Sequence, residues 1–303
     1  MADLSAGAAW IKGEILPINE ATIGVTDWGV IHSDITYDVV PVRNGAFFRL
    51  SDYVARFEAS MASLRLQTGI DRASIHAILH TIVASTGLRE SYCAMVASRG
   101  SPVIPGSRDP RDCANHFYAW CVPFIYVLSE EVAARGARLK VASTKRIPPD
   151  SVDPRVKNYH WGDFTPGLFE AKDAGFDNTL LLDHVGNVTE GPGFNVFAVI
   201  DGRVVTPDDG CLEGITRRTV LEMAQAEGIA TEIRTIPLAE FIEADEVFAS
   251  TSGGGVAPVV QIDERTFSNG APGPVTMRLR ATYQDWIQRK DLRDEVEYPD
   301  SRQ

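Results

Sequence analysis

Two short segments of the sequence carry side chains that can act together on a carbonyl compound. Lys157 is followed by Asn158 and Tyr159, and Glu190 stands further along in the glycine-rich run 189–195. A lysine amine can form an imine with a carbonyl carbon, and a carboxylate can hold a proton on a ring nitrogen. Residue type alone leaves open whether Glu190 is only a turn acid on the surface. It also leaves four other lysines as competitors for the amine: Lys12, Lys140, Lys145 and Lys172.

Two further segments can bind an anion. Ile215 and Thr216 follow Gly214 at the start of a predicted helix, and a helix N-terminus offers N–H groups and a favourable dipole to a negative charge. A threonine there is most often an ordinary N-cap, and both interpretations can hold together. The small-residue run 251–255 follows a predicted strand and is, taken alone, more often a flexible turn.

The lysine and glutamate segments resemble the fold-type IV pyridoxal-phosphate aminotransferases. This group includes branched-chain and D-amino-acid aminotransferases and the (R)-selective amine transaminases. Lys157-Asn158-Tyr159 matches the family's Lys-Asn-aromatic context, and Glu190 stands in its Thr-Glu-Gly-x-x-x-Asn pattern. The resemblance covers about residues 8–290. It implies that Lys157 carries pyridoxal 5'-phosphate as a Schiff base and moves protons, while Glu190 pairs with the pyridine nitrogen and keeps the ring an electron sink.

The resemblance also implies a set of ligands for the cofactor's phosphate. Arg56 fits the arginine of the motif Phe-x-Leu-x-x-His-x-x-Arg, although Tyr53 replaces the histidine. The planar guanidinium suits phosphate. The other phosphate ligands that the resemblance assigns are Ile215, Thr216, Thr251 and Ser252.

The stretch from His32 to about Leu66 resembles the (R)-amine transaminases in particular. Alternate residues of a strand point to one face, so Tyr37 and Val39 share a side of the predicted strand. From the residues alone, plain core packing would be preferred for these side chains. The resemblance instead predicts a substrate pocket with the members His32, Tyr37, Val39, Tyr92, Ala94 and Trp161.

One position departs from the family. Many relatives carry a loop arginine that binds the substrate carboxylate, and Pro105 stands at the matched position. Arg108 or Arg111 could substitute for it, or the carboxylate could be recognised otherwise.

These features predict a homodimeric transaminase that moves an amino group from an (R)-amine or D-amino acid to an oxo acid such as pyruvate, by a ping-pong scheme. A branched-chain L-amino-acid aminotransferase or an aminodeoxychorismate-lyase-like enzyme remains an alternative within the same fold. A catalytically silent binding module is an alternative from another class, and Lys157 and Glu190 argue against it.

The composition and net charge of the chain limit the classes of partner that it can bind. The chain has 303 residues, 44% of them hydrophobic, and a formal net charge of −12. An acidic protein is a poor partner for nucleic acid or an anionic membrane. No apolar run approaches the ~20 residues of a membrane span, and the first residues lack the blocks of a signal peptide. A soluble, cytoplasmic protein with four free thiols is therefore predicted.

No metal site is predicted. His76 and His80 are four residues apart on a predicted helix, but no third ligand is in view, so ordinary helix-surface histidines are favoured.

The pattern of elements predicts an α+β protein. Hairpins are expected at Lys12-Gly13, Asn44-Gly45 and Asp201-Gly202. Ser51 and Asp71 are expected to cap two helices, the first ending near Leu66 and the second at Gly87. Further helices are expected near 167–174, 216–227 and 273–289, and residues 291–303 are expected to be a frayed or exposed tail.

The predicted division is a small N-terminal domain at 1–125, a linker at 126–132 and a larger domain at 133–303. The resemblance implies an α/β-sandwich for the first domain and a barrel-like sheet for the second, with the cofactor between them.

Overall fold

The structure is a computed structural model that describes residues 3–299. The chain divides into two compact units. Unit 1 contains the residues up to Ile125, the short segment Val156–Tyr159 and the residues from Ile287 onward. Unit 2 contains Tyr126–Arg155 and His160–Trp286. The secondary structure is mixed α+β, as the sequence predicts.

In chain order, the strands and helices that precede unit 2 are β1 (Ala8–Ile11), β2 (Glu14–Pro17), α1 (Trp28–Ile31), β3 (Ile35–Arg43), β4 (Ala46–Phe48), α2 (Leu50–Ser63), α3 (Arg72–Thr86), β5 (Ser91–Ser98) and β6 (His116–Pro123). Those of unit 2 are α4 (Glu130–Arg135), β7 (Ala137–Val141), α5 (Phe164–Asp173), β8 (Asn178–Leu180), β9 (Glu190–Gly191), β10 (Phe194–Ile200), β11 (Arg203–Thr206), α6 (Ile215–Ala226), β12 (Thr231–Ile233), α7 (Leu238–Phe241), β13 (Glu246–Thr251), β14 (Gly255–Ile262), β15 (Arg265–Thr266) and α8 (Pro274–Trp286). The chain returns to unit 1 for β16 (Arg293–Glu295).

Unit 1 is built on a seven-stranded antiparallel sheet with the order β16-β4-β3-β5-β6-β1-β2. The predicted hairpin turns explain two of its connections, because Lys12 and Asn44 have positive φ and each is followed by a glycine that also has one. Helices α2 and α3 pack on this sheet with their apolar stripes, which include the fully buried Phe57 and Leu79.

Unit 2 is built on a nine-stranded mixed sheet with the main order β12-β11-β10-β13-β14-β7-β8. The pairs β11–β12, β14–β7 and β7–β8 are parallel, and β9 and β15 pair outside the main path. The predicted turn at Asp201-Gly202 has positive φ at both residues and joins β10 to β11. The core of this unit is formed by aliphatic and aromatic side chains such as Val196, Phe241 and Val259.

The predicted helix starts were right at one position and wrong at another. Asp71 caps α3, since its Oδ1 accepts a hydrogen bond of 2.8 Å from the Ser74 amide, and Gly87 ends that helix with φ 71°. Ser51 does not cap α2. Arg49 occupies the cap position in a left-handed conformation, with φ 58° and without a side-chain cap bond. The chain must turn sharply between β4 and α2, and Arg49 takes up that turn.

The domain division also differs from the predicted one. Residues 126–132 belong to unit 2, where Ser129 caps α4 by accepting a bond from the Val132 amide. The residues from Ile287 onward belong to unit 1, because β16 adds a strand beside β4. The predicted frayed tail is therefore wrong for residues 293–295; residues 300–303 lie outside the described part.

Three findings bear on the predictions about membranes, metal ions and cysteines. No helix within residues 3–299 is long and apolar enough to cross a membrane. In the same part of the chain, no three His, Cys, Asp or Glu side chains are grouped so as to hold a metal ion. The four cysteines are free thiols, which confirms that prediction.

Candidate active site

The backbone of Lys157 is fixed on the sheet of unit 1. Its carbonyl accepts a bond of 2.6 Å from the Thr36 hydroxyl and one of 3.4 Å from the Tyr37 amide. Its own amide donates to the Ser60 Oγ of α2 at 3.4 Å. An antiparallel bridge between Thr36 and Asn158 extends the free edge of β3. Because Thr36 is fully buried, this attachment is shielded from water.

The amine of Lys157 faces an aromatic ring. Its Nζ lies 4.5 Å from the centroid of the Tyr37 ring, and Tyr37 stacks on Tyr159 with centroids 4.1 Å apart and planes 3° apart. The ring face attracts an ammonium group. The Lys-Asn-Tyr motif therefore supplies both Lys157 and Tyr159. The ring of Tyr159 stacks on Tyr37, the ring that Lys157 faces.

Four of the six predicted pocket residues share one face of the sheet. Val39 lies directly opposite Ala94, and Tyr92 lies opposite Pro41, two residues further along β3. Partners across antiparallel strands point to the same side, so Tyr37, Val39, Ala94 and Tyr92 line one surface. Burial raises the pKa of Tyr92 well above its usual range, which keeps its hydroxyl protonated at neutral pH.

The other two predicted pocket residues belong to other elements. His32 ends the short helix α1, where it is exposed and its ring packs edge-on against Trp28. Trp161 lies in unit 2, and its ring packs against Phe164 at a centroid distance of 5.6 Å. The structure does not bring His32 into the sheet face that carries Tyr37.

Arg56 has a buried partner that sequence reasoning missed. Its Nε and one Nη donate to the two carboxylate oxygens of Asp38, at 2.8 and 2.7 Å, and the carboxylate is fully buried. Burial works against the charge of Arg56, but Asp38 outweighs it and the pKa of the guanidinium is raised. The signal in the sequence was an acid inside the apolar strand β3. The phosphate role of Arg56 stays a prediction.

Glu190 is buried in unit 2 and held on both carboxylate oxygens. Its Oε1 accepts a bond of 3.1 Å from Arg146. Its Oε2 accepts from the Leu212 amide at 3.0 Å and from the Asn195 side chain at 3.4 Å. The interpretation of Glu190 as a surface turn acid is therefore wrong, since only 6% of the residue is exposed.

The partner of Glu190 belongs to a cluster of three buried charges. Arg146 also donates to Asp163 at 2.5 Å, and its guanidinium lies 4.3 Å from the ring centroid of Phe164. Asp163, Arg146 and Glu190 are each less than one-tenth exposed. These three side chains contribute two carboxylates and one guanidinium, and negative charge held in a buried site favours a cation beside it. A protonated pyridine ring is such a cation.

The start of α6 has the features of an anion site. Gly214 is its N-cap residue and makes no side-chain cap bond, and the helix begins at Ile215. Thr216 is thus inside the first turn and is not the N-cap. Its hydroxyl is buried and has no hydrogen-bond partner among the described residues. An orphaned buried hydroxyl is costly, so a ligand oxygen at this helix start would satisfy it.

Close packing joins this helix start to Glu190. A Cβ on Gly214 would stand only 2.2 Å from the Asn195 Oδ1, so no larger residue fits without movement. Asn195 in turn donates to Glu190 and, at 2.8 Å, to the Leu212 carbonyl. The acid and the helix N-terminus are therefore parts of one packed arrangement.

The second predicted phosphate turn is organised by Thr251. Its hydroxyl accepts a bond of 3.1 Å from the Gly253 amide, and the residue is buried at the end of β13. Ser252 follows in the turn. Gly255 closes it with φ 75°, where a Cβ would meet the Tyr283 ring at 2.4 Å. Packing thus requires a glycine at position 255, and the turn is ordered by its own hydroxyl.

The loop around Pro105 offers two arginines with different surroundings. Arg111 is exposed and its Nε donates to Asp109 at 2.9 Å, whereas Arg108 is exposed a few residues earlier. The Arg111 guanidinium lowers the pKa of Asp109 to about 2, so this pair stays charged over the whole working range. That either arginine binds a substrate carboxylate stays a prediction.

Several known proteins are similar to this chain in sequence and in fold. The family model for class IV amino-transferases matches residues 36–262. A putative branched-chain-amino-acid aminotransferase of Methanocaldococcus jannaschii is 28% identical over 279 residues, which are 91% of this chain and 95% of the relative. A D-alanine aminotransferase of Listeria innocua is 26% identical over 285 residues, which are 92% of this chain and 96% of the relative.

Solved structures agree with these matches. The T.th. branched-chain amino acid aminotransferase with pyridoxamine 5'-phosphate superposes with a TM-score of 0.89 and 28% identity, over 97% of this chain and 100% of that one. The branched-chain amino acid aminotransferase from Thermobaculum terrenum in its PLP-form superposes with a TM-score of 0.86 and 26% identity. The match covers 98% of this chain and 100% of that one. The buried carboxylates and the orphaned hydroxyl of unit 2 fit the ring and the phosphate of this cofactor. The chain belongs to the class IV aminotransferases, pyridoxal-phosphate enzymes of fold type IV that act on amino acids and oxo acids.

Proposed function

We propose that the protein transfers an amino group from an (R)-amine or a D-amino acid to an oxo acid such as pyruvate, by a ping-pong mechanism with Lys157 as the attachment point of the cofactor. The observation that carries this proposal is the Lys157 amine on the ring of Tyr37, 4.5 Å from its centroid. The amine that we propose as the attachment point therefore lies beside a face of uncharged aromatic and aliphatic side chains.

Each proposed site residue has a distinct task. Bound pyridoxal phosphate supplies an electron sink for the substrate carbon. Lys157 holds the cofactor, yields to the incoming donor amine and then moves the proton of the donor's carbon. Glu190 holds the proton on the ring nitrogen. The phosphate is held by Arg56, Ile215, Thr216, Thr251 and Ser252.

The proposed donor follows from the polarity of the sheet face. The side chains of Tyr37, Val39, Tyr92 and Ala94 make this face uncharged, and we propose that the small side chain of Ala94 makes room for a substituent. An amine with an aromatic or aliphatic group gains from burial there. The proposed (R) or D handedness rests on the resemblance of the β3 segment to the (R)-amine transaminases.

A second candidate is a branched-chain L-amino-acid aminotransferase. Several relatives, including the one from Methanocaldococcus jannaschii, bear that name. The apolar face suits a branched aliphatic side chain as well as an aromatic one, so this candidate has support of equal weight. An aminodeoxychorismate-lyase-like activity is a third, and it would release pyruvate without any oxo-acid acceptor.

A donor panel separates these candidates. The holoenzyme is assayed with (R)- and (S)-1-phenylethylamine and with D- and L-forms of alanine and leucine, each with pyruvate and with 2-oxoglutarate. The proposal expects the (R)-amine or D-amino acids to exceed their mirror images at least tenfold in kcat/KM, which is about 1.4 kcal/mol of transition-state discrimination. Faster turnover of L-leucine supports the second candidate, and pyruvate release from aminodeoxychorismate without acceptor supports the third.

We also propose a homodimer. Exposed apolar side chains of unit 1 form what we call the apolar patch: Val25, Val30, Ile31, Val103 and Ile104. The two segments that carry it are joined by a bond of 2.9 Å from the Trp28 amide to the Gly100 carbonyl. A second copy of the chain is the occupant we propose, because several large apolar side chains are exposed on two segments that are bonded to each other, and exposed apolar surface marks association sites. A cytoplasmic location stays a prediction.

A further inference from the structure

We propose that Asp163 is a positioning residue that sets the charge of the Glu190 site through Arg146. Asp163 holds the guanidinium that in turn holds Glu190, so the three side chains act as one unit. This inference rests on the proposed pairing of Glu190 with the ring nitrogen of the cofactor.

The geometry supports a relay that begins at Asp163. The first helical amide of α5, that of Phe164, donates to its Oδ1 at 2.8 Å. Its Oδ2 accepts from the Ile147 amide at 2.9 Å and from Arg146 at 2.5 Å. The neighbouring Nη of Arg146 then reaches Glu190 at 3.1 Å. Asp163 is thereby fixed from two backbone amides, and it fixes the guanidinium.

The division of the guanidinium between two acids decides the charge near the ring. If Arg146 served Glu190 alone, the buried pair would be neutral and would offer little to a protonated ring. With Asp163 on the same guanidinium, the three side chains carry one more negative charge than Arg146 and Glu190 would carry alone. Inside a protein this difference of one charge acts on a nearby proton far more strongly than it would in water. Asp163 therefore helps to keep the ring nitrogen protonated without touching it.

A purely structural role for Asp163 is the competing explanation, because its carboxylate also caps α5. Asparagine is as good an N-cap as aspartate, so Asp163→Asn keeps the bond from the Phe164 amide and removes the charge. It also loses the acceptor for the Ile147 amide and for Arg146, because the amide nitrogen that replaces Oδ2 is a donor. A matched control is Asp177→Asn. Asp177 likewise pairs with an arginine, Arg135, and accepts a backbone bond of 2.8 Å from Arg138, but it lies outside the Glu190 cluster.

The experiment measures binding to the apo-protein and needs no turnover. Two ligands are compared: pyridoxal phosphate and an analogue with a carbon in place of the ring nitrogen. The ratio of their dissociation constants reports how strongly the site favours the protonated nitrogen. Thermal unfolding of each apo-variant is recorded beside it to monitor folding.

The expected results differ for each variant. Asp163→Asn should reduce the preference for the nitrogen-containing ring about tenfold, as expected for one unit charge acting across a partly buried distance. The lost bonds of Oδ2 should lower the unfolding temperature, but a loss of stability alone weakens both ligands equally and leaves their ratio unchanged. Arg146→Met combined with Asp163→Asn restores a single negative charge and should recover much of the preference. Asp177→Asn should leave the ratio unchanged.

The outcomes separate this inference from the proposed function. If Glu190→Gln leaves the ratio as it is, Glu190 does not meet the ring nitrogen and the proposed pairing fails. If Glu190→Gln abolishes the preference but Asp163→Asn does not change it, the pairing stands and the relay is rejected. A loss of both affinities in parallel with a lower unfolding temperature would show that Asp163 only caps α5, which also rejects the relay.

Discussion

Lys157 differs from the other lysines of the chain in what surrounds it. Lys140 is paired with Asp263 at 2.7 Å, and Lys172 donates to the Asp177 carbonyl at 2.6 Å. Lys157 faces the ring of Tyr37 instead. A charge-assisted bond to a carboxylate holds an amine in one direction, whereas a ring face attracts an ammonium group more diffusely. The amine of Lys157 therefore has a contact that a carbonyl compound can replace without leaving a carboxylate unpaired.

Replacing this lysine tests the covalent assignment. Lys157→Ala should remove the visible absorption of the bound cofactor and reduce transamination by several orders of magnitude, because no amine is left to hold the cofactor or to carry the proton. Absorption spectra and single-turnover assays measure both effects. Lys172→Ala is the control and should behave like the wild type. Retained turnover in Lys157→Ala would reject the assignment.

The orphaned hydroxyl of Thr216 gives a second residue-scale prediction. Thr216→Val keeps the shape and removes the hydroxyl, so pyridoxal phosphate should bind about tenfold to a hundredfold more weakly, the worth of one hydrogen bond to a charged group. The apo-protein should be equally or more stable, because an unsatisfied buried hydroxyl has been removed. Equilibrium dialysis and thermal unfolding measure the two effects.

Thr219→Val is the matched control for this prediction. Thr219 lies three residues further along α6, and its hydroxyl donates to the Ile215 carbonyl at 2.9 Å. Its replacement should leave cofactor affinity unchanged. An unchanged affinity in Thr216→Val as well would remove Thr216 from the phosphate site.

At this scale the sequence identifies side chains but not their partners. Lys157 and Glu190 stand in short motifs that can be read directly. Arg146, Asp163 and Asp38 could not be found in this way, because their partners are 17 to 44 residues away along the chain. Which acid meets which arginine is decided by tertiary packing, and local spacing carries no information about it.

At the scale of elements, turns with a strong local requirement were predictable. Asn44-Gly45 and Asp201-Gly202 need positive φ at both residues, and few other pairs tolerate it. The start of α2 was not predictable, because Arg49 occupies the N-cap position with a left-handed backbone conformation and makes no side-chain cap bond. The strand β16 was missed for a similar reason. Its residues Arg293, Asp294 and Glu295 are all charged, and only pairing with β4 makes them a strand.

The packing of β16 against α3 has a consequence for stability. His76 and His80 both face Asp294, at 3.7 and 3.3 Å. Burial, together with His80 and Arg72, lowers the pKa of His76, while Asp294 and Glu58 oppose this effect. The folded protein therefore takes up a proton at His76 less readily than the unfolded chain does.

The sign of the pH effect follows from this difference. As the pH falls through the unfolded-state pKa of 6.5, the unfolded chain is protonated first, so the free energy of unfolding should decrease until the lower folded-state pKa is reached. His76→Gln should make this part of the profile flatter. Denaturant unfolding of both proteins between about pH 7.5 and 5 measures it. His184→Gln, in an exposed turn, is the control; an equal slope in His76→Gln and the wild type would contradict the prediction.

At the scale of the whole molecule, two compact units are made from interleaved parts of the chain. Unit 1 takes Val156–Tyr159 from the middle of the sequence and the residues from Ile287 onward from its end. Composition and a break near residue 126 could suggest two domains. They could not reveal that Lys157 belongs to the first unit. This depends on two bonds of the Lys157 backbone, whose carbonyl accepts from the Thr36 hydroxyl and whose amide donates to the Ser60 hydroxyl.

Association of two copies has to overcome their charge. Each chain carries a formal net charge of −12, so two copies repel one another at low ionic strength. The apolar patch offers a surface on which burial can outweigh this repulsion, since each apolar side chain removed from water contributes about 1.5–3 kcal/mol when fully buried. Added salt should therefore strengthen the dimer by screening the repulsion.

Replacing two members of the apolar patch tests this surface. Val30→Asp combined with Ile31→Asp puts two further charges on each copy where water would have to be excluded, so the dimer should dissociate to a 33.1 kDa monomer. Sedimentation equilibrium at low and moderate salt measures the mass. Val185→Asp is the control, because Val185 is also highly exposed but lies in unit 2, outside the patch. A doubly substituted protein that keeps the dimer mass would place the interface elsewhere, and a monomeric wild type would reject the dimer itself.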